Sequence, residues 1–127
     1  MTKEEYWEKY ESDKLCDTYP DYFDIWWDRE KFDWLYSYAL AEFCNDHFDK
    51  WWDENKFDWS DSYALARHCN NHFDIWWNPD KFDWENDSVD LVQYCSFKFS
   101  DLQLKQLCLH EHKNAREFAV NELKRRK

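Results

Sequence analysis

Phe, Trp and Trp recur together every 25 residues along this chain, as Phe23, Trp26 and Trp27, then Phe48, Trp51 and Trp52, then Phe73, Trp76 and Trp77. Lys31, Lys56 and Lys81 keep the same spacing, as do Trp34, Trp59 and Trp84. A unit this short cannot enclose its own large apolar side chains. Its neighbours must cover them, which is why a fixed period in this range predicts an array of stacked units.

Each copy reads as helical. Phe, Trp and Trp fall at i, i+3 and i+4, one face of a short helix, with Ile25, Lys50 and Ile75 at a tolerant position between them. Asp28, Asp53 and Asn78 read as N-caps of a following helical turn that ends at Trp34, Trp59 or Trp84, and Pro79 suits the first position of such a turn. A third segment places Leu40, Ala41 and Cys44 on one stripe, repeated as Leu65, Ala66 and Cys69 and as Leu91, Val92 and Cys95. Glu42, Arg67 and Gln93 vary and mark the solvent side. The last copy carries one extra residue between Trp84 and Cys95, which the pattern places in a turn around Asn86 and Asp87. Glycine is absent, which disfavours tight hairpins, dinucleotide turns and phosphate loops and suits helices with short connections.

The expected fold class is therefore all-α: a short helical-repeat, α-solenoid-like array of about three units within a single domain spanning residues 1–127. Residues 1–19 form the N-terminal cap, with Ser12 and Leu15 in phase with Ser37 and Leu40. Residues 20–95 hold the repeats, and residues 96–127 form a C-terminal capping helix with a basic end. Ser100 and Gln103 make a capping box for that closing helix, which carries Leu104, Leu107, Cys108, Phe118 and Leu123. The period is shorter than that of tetratricopeptide, ankyrin or armadillo repeats, and none of their signatures is present.

Charged residues at 35% and a mean hydropathy of -1.09 are values at which chains are often disordered, but an aromatic fraction of 22% argues for a packed core. Five cysteines is an odd number, and Cys44, Cys69 and Cys95 share one repeat position, so the thiols read as small core residues in a reducing compartment. No charged segment followed by an apolar run and no long apolar stretch is present, so a cytoplasmic protein without a membrane span is expected.

No nucleophile motif, paired-carboxylate motif or phosphate loop occurs, so no enzymatic activity, cofactor or metal is expected. Cys44 and His47 with Cys69 and His72 imitate a zinc pattern, but repeat-equivalent residues stand about 8–10 Å apart across packed helices. Zinc ligands must converge to ~2.0–2.3 Å from one ion. Cys108 and His112 at i and i+4 of the closing helix share a face but lack further ligands, and His68 and Cys69 point in different directions as adjacent helical residues.

Formal net charge is -11, with 24 acids against 10 bases over residues 1–99 and 4 acids against 7 bases beyond them. Such a body repels nucleic acid and attracts basic proteins, and Lys124, Arg125, Arg126 and Lys127 complement the negative end of a helix. Asp24, Asp49 and Asp74, with Asp33, Asp58 and Asp83, recur as acidic ladders and are the candidate partner-binding residues. The bland reading pairs them with Lys31, Lys56 and Lys81; the sharper one has them imitate the regular phosphates of a nucleic acid. The expected function is non-enzymatic binding of a protein partner with a basic surface, in its sharpest form inhibition of a nucleic-acid-binding enzyme, as a viral or mobile-element counter-defence protein would act. A general protein–protein adaptor, or a carbohydrate or small-ligand binder using exposed Trp, is the alternative.

Overall fold

A computed structural model describes residues 1–127, and it is all-helical, with ten α-helices, six 3-10 turns and no strand. The helices are α1 (Lys3–Lys9), α2 (Ser12–Thr18), α3 (Phe23–Trp26), α4 (Ser37–Phe43), α5 (Phe48–Trp51), α6 (Ser62–His68), α7 (Phe73–Trp76), α8 (Trp84–Cys95), α9 (Asp101–Leu107) and α10 (Lys113–Arg125). They fall into two compact units, Met1–Asp58 and Trp59–Lys127, so the boundary lies inside the second copy of the repeat.

The repeated residues repeat their conformation. Tyr19, Cys44 and Cys69 each end a helix at φ near -122° (-123°, -122° and -122°), a 3-10 turn follows, and a four-residue helix then stops at Trp27, Trp52 or Trp77 with ψ of 128°, 128° and 123°. No residue has positive φ. Many helices end on a left-handed glycine. These end in extended or bridging backbone instead, and a chain with no glycine can build them.

Trp26, Trp51 and Trp76 are buried, and each indole N–H donates to the carbonyl seven residues earlier, on Tyr19, Cys44 and Cys69, at 2.8, 2.7 and 2.7 Å. The last carbonyls of a helix have no partner within it. Each of these carbonyls also accepts from the backbone N–H three residues on, so one side chain fills the core and adds a second bond at the end of the preceding helix, one that neither Phe nor Leu could make. Burial of such a side chain stabilises by about 1.5–3 kcal/mol.

Ser12, Ser37 and Ser62 are also buried. Their hydroxyl oxygens accept from the backbone N–H of Asp33, Asp58 and Asp83 at 2.8, 3.0 and 3.0 Å, each 21 residues further on. These bonds set the register of one copy against the next.

In the first unit α1 packs on α3, α2 on α4, and α4 on α5. The Phe23 and His47 rings stack at 4.5 Å, and Arg29 joins Asp53 at 2.7 Å and Lys3 joins Asp28 at 3.4 Å. In the second unit α6 packs on α8 and α7, and α10 lies against both α8 and α9. Phe99 closes its core, 4.8 Å from both Phe73 and Trp77 and 5.0 Å from Phe118.

Three local expectations change. Asp28, Asp53 and Asn78 do not start helices: their Oδ1 atoms accept from Glu30 N at 3.0 Å, Asn55 N at 2.9 Å and Asp80 N at 3.0 Å. Short polar side chains that bond their own backbone two residues on close a turn in place of a helix. The extra residue of the last copy makes no turn either. α8 runs without interruption through Asn86 and Asp87, started by Asp83, whose carboxylate accepts from Asn86 N at 3.2 Å. Glu85 and Asp87 in its first turn favour the positive end of the helix. Finally, the closing helix is two helices: the capping box of Ser100 and Gln103 starts α9, and His112 Nδ1 accepts from Asn114 N at 3.0 Å to start α10. Cys108 and His112 thus flank a break and share no helical face.

Candidate functional site: an acidic face on the first unit

The six Asp of the two ladders do not serve alike. Asp24, Asp49 and Asp74 are exposed on their short helices. Lys50 bonds Asp24 at 2.5 Å, and that bond holds the Asp24 carboxyl below its usual range. Asp33 spends an oxygen on Leu35 N at 3.1 Å, and Asp83 accepts from Asn86 N and, at 3.0 Å, from the Asn86 side chain. Asp58 is half-buried, its backbone N–H held by Ser37. Asp33 and Asp83 thereby bond local backbone amides, although Asp33 stays exposed, while Asp24, Asp49 and Asp74 all face solvent.

In the first unit the repeated lysines do not pair with the ladders. Lys31 and Lys56 are exposed without an ion pair, and the bases that bridge copies in the first unit are Lys3, Arg29 and Lys50. None of these three recurs at its position in every copy.

The first unit carries more exposed acid than the ladders alone. Asp17 and Glu42, Asp21 and Asp46, and Asp24 and Asp49 occupy three equivalent positions in two successive copies, and all six are exposed. The third copy has Arg67, Asn71 and Asp74 there. Residues 1–58 contain 17 acids and 7 bases, net -10; residues 59–127 contain 11 acids and 10 bases, net -1. Tyr22 and Ile25, 51% and 46% exposed, lie among these acids and add apolar surface. The signal for Asp17, Asp21, Glu42 and Asp46 is present in the sequence as loss of acid from the third copy, but variation there also fits ordinary solvent exposure.

Groups suited to other chemistry are otherwise engaged. Burial pushes the Cys69 and Cys95 thiols up to about 12, and a hydrogen bond with Cys44 together with burial raises that of Cys16. Thiols in that state are poor nucleophiles. His47 lies flat on Phe23, and no three His, Cys, Asp or Glu side chains converge on a point that would hold a metal ion. Trp26, Trp51 and Trp76 offer no ring to a ligand, whereas Trp27, Trp34 and Trp77 are half-buried.

Together these features define an all-helical, aromatic-cored protein whose excess acid lies in its first unit and in which no helix is long and apolar enough to cross a membrane. No protein-family model, no curated protein and no solved structure matches the chain.

Proposed function

We propose that this chain is a non-enzymatic, cytoplasmic helical-repeat protein that binds a protein partner with a basic surface through the acidic face of residues 1–58. In its sharpest form the partner is a nucleic-acid-binding enzyme whose phosphate-binding groove the face occupies. The α-solenoid-like ordering of the copies belongs to the same reading, supported by the recurrence of one backbone conformation and one serine-to-amide bond in each copy.

The observation that carries the proposal is the concentration of charge. Net -10 on one compact unit, with Asp17, Asp21, Asp46 and Asp49 exposed and without cationic partners other than His47, exceeds the about 2–8 charges that keep a small domain soluble. Carboxylates at equivalent positions of packed helices stand about 8–10 Å apart. Each then lies within about one Debye length of the next at physiological salt, so their fields add at the surface of a partner.

The test pairs the chain with nucleic-acid-binding enzymes from its host and measures affinity as salt rises from about 0.1 M to about 1 M, which shortens the Debye length from ~10 to ~3 Å. Binding falls steeply and duplex DNA competes for the same partner. A variant carrying D21N, D24N, D46N and D49N loses both the affinity and the salt dependence. Unchanged binding by that variant, or a partner held equally at both salt concentrations, refutes the acidic face as the interface.

A further inference from the structure

A cleft in the first unit has a different chemistry. Trp7 and Tyr10, on and just after α1, face Tyr36 and the turn that carries Lys31 and Asp33, and with Glu11 they line a cleft of about 270 Å3. That is just below the ~300–1,000 Å3 of drug-sized sites, so the cleft admits one small group and not a whole cofactor.

Two of its three aromatic residues already use a polar atom. The Trp7 indole N–H donates to Trp26 O at 2.6 Å, and the Tyr10 oxygen accepts from the Tyr19 hydroxyl at 2.9 Å. Those bonds hold the Trp7 and Tyr10 rings in place at the cleft wall. Asp33 is fixed as well, by Leu35 N and through its own N–H on Ser12. Glu11 is exposed, and its carboxylate caps nothing and pairs with no cation.

The repeat keeps a ring at the Trp7 position, as Phe32, Phe57 and Phe82, but does not require the other two. With Ser12, Ser37 and Ser62 in register, Tyr10 corresponds to Leu35 and Ser60, and Tyr36 corresponds to Asp61 and Asn86. The three rings meet two carboxylates only at the first copy.

Ring faces attract cations, and aromatic cages with nearby carboxylates suit poorly hydrated organic cations best. The geometry points to a binding site for a methylated alkylammonium group, either a free quaternary amine or a trimethyllysine side chain, between Trp7, Tyr10 and Tyr36 with Glu11 and Asp33 as counter-charges. Two carboxylates exclude an anion, and Lys31 at the rim tempers the affinity by like charge. This site uses none of Asp17, Asp21, Asp24, Glu42, Asp46 and Asp49 and does not depend on the role proposed for them.

Isothermal titration of the full chain with choline and with its uncharged carbon isostere, 3,3-dimethylbutanol, tests the assignment. Choline binds more tightly than the isostere by about three- to tenfold or more, the range cation–π attraction supplies. Tyr36→Ala and the conservative surface change Glu11→Gln each weaken choline severalfold while the denaturation midpoint of Glu11→Gln stays unchanged. Lys31→Met tightens it. Peptides bearing trimethyllysine or unmodified lysine then separate the two sources: preference for the trimethylated peptide over choline assigns a protein side chain, and the reverse assigns a free amine. Equal binding of choline and isostere, no binding of either, or weaker choline binding by Lys31→Met overturns the proposal. Loss of the acidic-face partner would leave all of these results unaltered.

Discussion

Ser62→Ala is the sharpest test of how the copies are joined. The Ser62 hydroxyl accepts from Asp83 N at 3.0 Å and donates to Asp87 Oδ2 at 2.9 Å; Asp87 is 5% exposed and keeps only Tyr63 N, at 3.0 Å, when the hydroxyl is removed. Hydrogen bonds to charged groups contribute about 1.5–3 kcal/mol, and an orphaned amide that is partly buried costs about 1 kcal/mol more. The expected loss is about 3 kcal/mol, roughly 10 °C in Tm for a chain of this length. Ser37→Ala, which removes only the bond from Asp58 N, costs about 1 kcal/mol.

The two variants also differ in their response to pH. Burial raises the Asp87 pKa above its ordinary 3.8, while Ser62 and Tyr63 N lower it. A raised carboxyl binds its proton more tightly folded than unfolded, so its contribution is most favourable below 3.8 and declines as pH rises through the folded value. Ser62→Ala removes one of the groups that stabilise the charged form. Its deficit is therefore largest at neutral pH and shrinks towards that of Ser37→Ala in acid. Urea unfolding of the three proteins at neutral pH and below 3.8 measures this. A Ser62→Ala loss within about 0.5 kcal/mol of Ser37→Ala at neutral pH, or one independent of pH, refutes the coupling of Ser62 to a charged Asp87.

Three further outcomes follow from the same structure. Trp51→Phe keeps a ring in the core but removes the indole bond to the Cys44 carbonyl, which keeps only His47 N, and urea unfolding shows a loss of about 1–2 kcal/mol; a loss below about 0.5 kcal/mol would count against the indole bond. Arg125 and then Arg126 hold the Glu122 carboxyl below its ordinary 4.5, so its contribution is complete above 4.5 and is lost as pH falls through the folded value; Glu122→Gln flattens that acid limb of a stability–pH curve. Lys50→Ile, the residue type of Ile25 and Ile75, frees Asp24 at an exposed position; thermal stability does not change measurably, while association with a polylysine probe quickens at low salt and a slower rate contradicts the reading of the face.

Much of the fold is legible because packing acts on the repeat itself. Phe23, Phe48 and Phe73 and their Trp partners recur because each occupies the same enclosed place, and all three pairs at i and i+3 are buried. The capping box of Ser100 and Gln103 is equally readable, since both its bonds lie within four residues. The turns at Asp28, Asp53 and Asn78 are not, because a cap and an Asx-turn use the same residue types and differ only in where the next residues go. The break before α10 is similar: His112 caps it, and no proline or glycine announces it.

For the candidate site, periodicity identifies which carboxylates recur but not which are spent. Asp24 and Asp33 look alike along the chain, yet one meets Lys50 and the other a backbone amide. The helical class, the aromatic core and the excess of acid follow from composition and spacing, since burial and charge are properties each residue type brings with it. The division of acid between two units, the exposure of Asp17, Asp21, Asp46 and Asp49 and the meeting of Trp7 and Tyr10 with Tyr36 were decided by tertiary structure. They rest on partners far apart in the chain, such as Ser12 with Asp33, Trp7 with Trp26 and Asp24 with Lys50, and only the packed chain brings such partners within bonding distance.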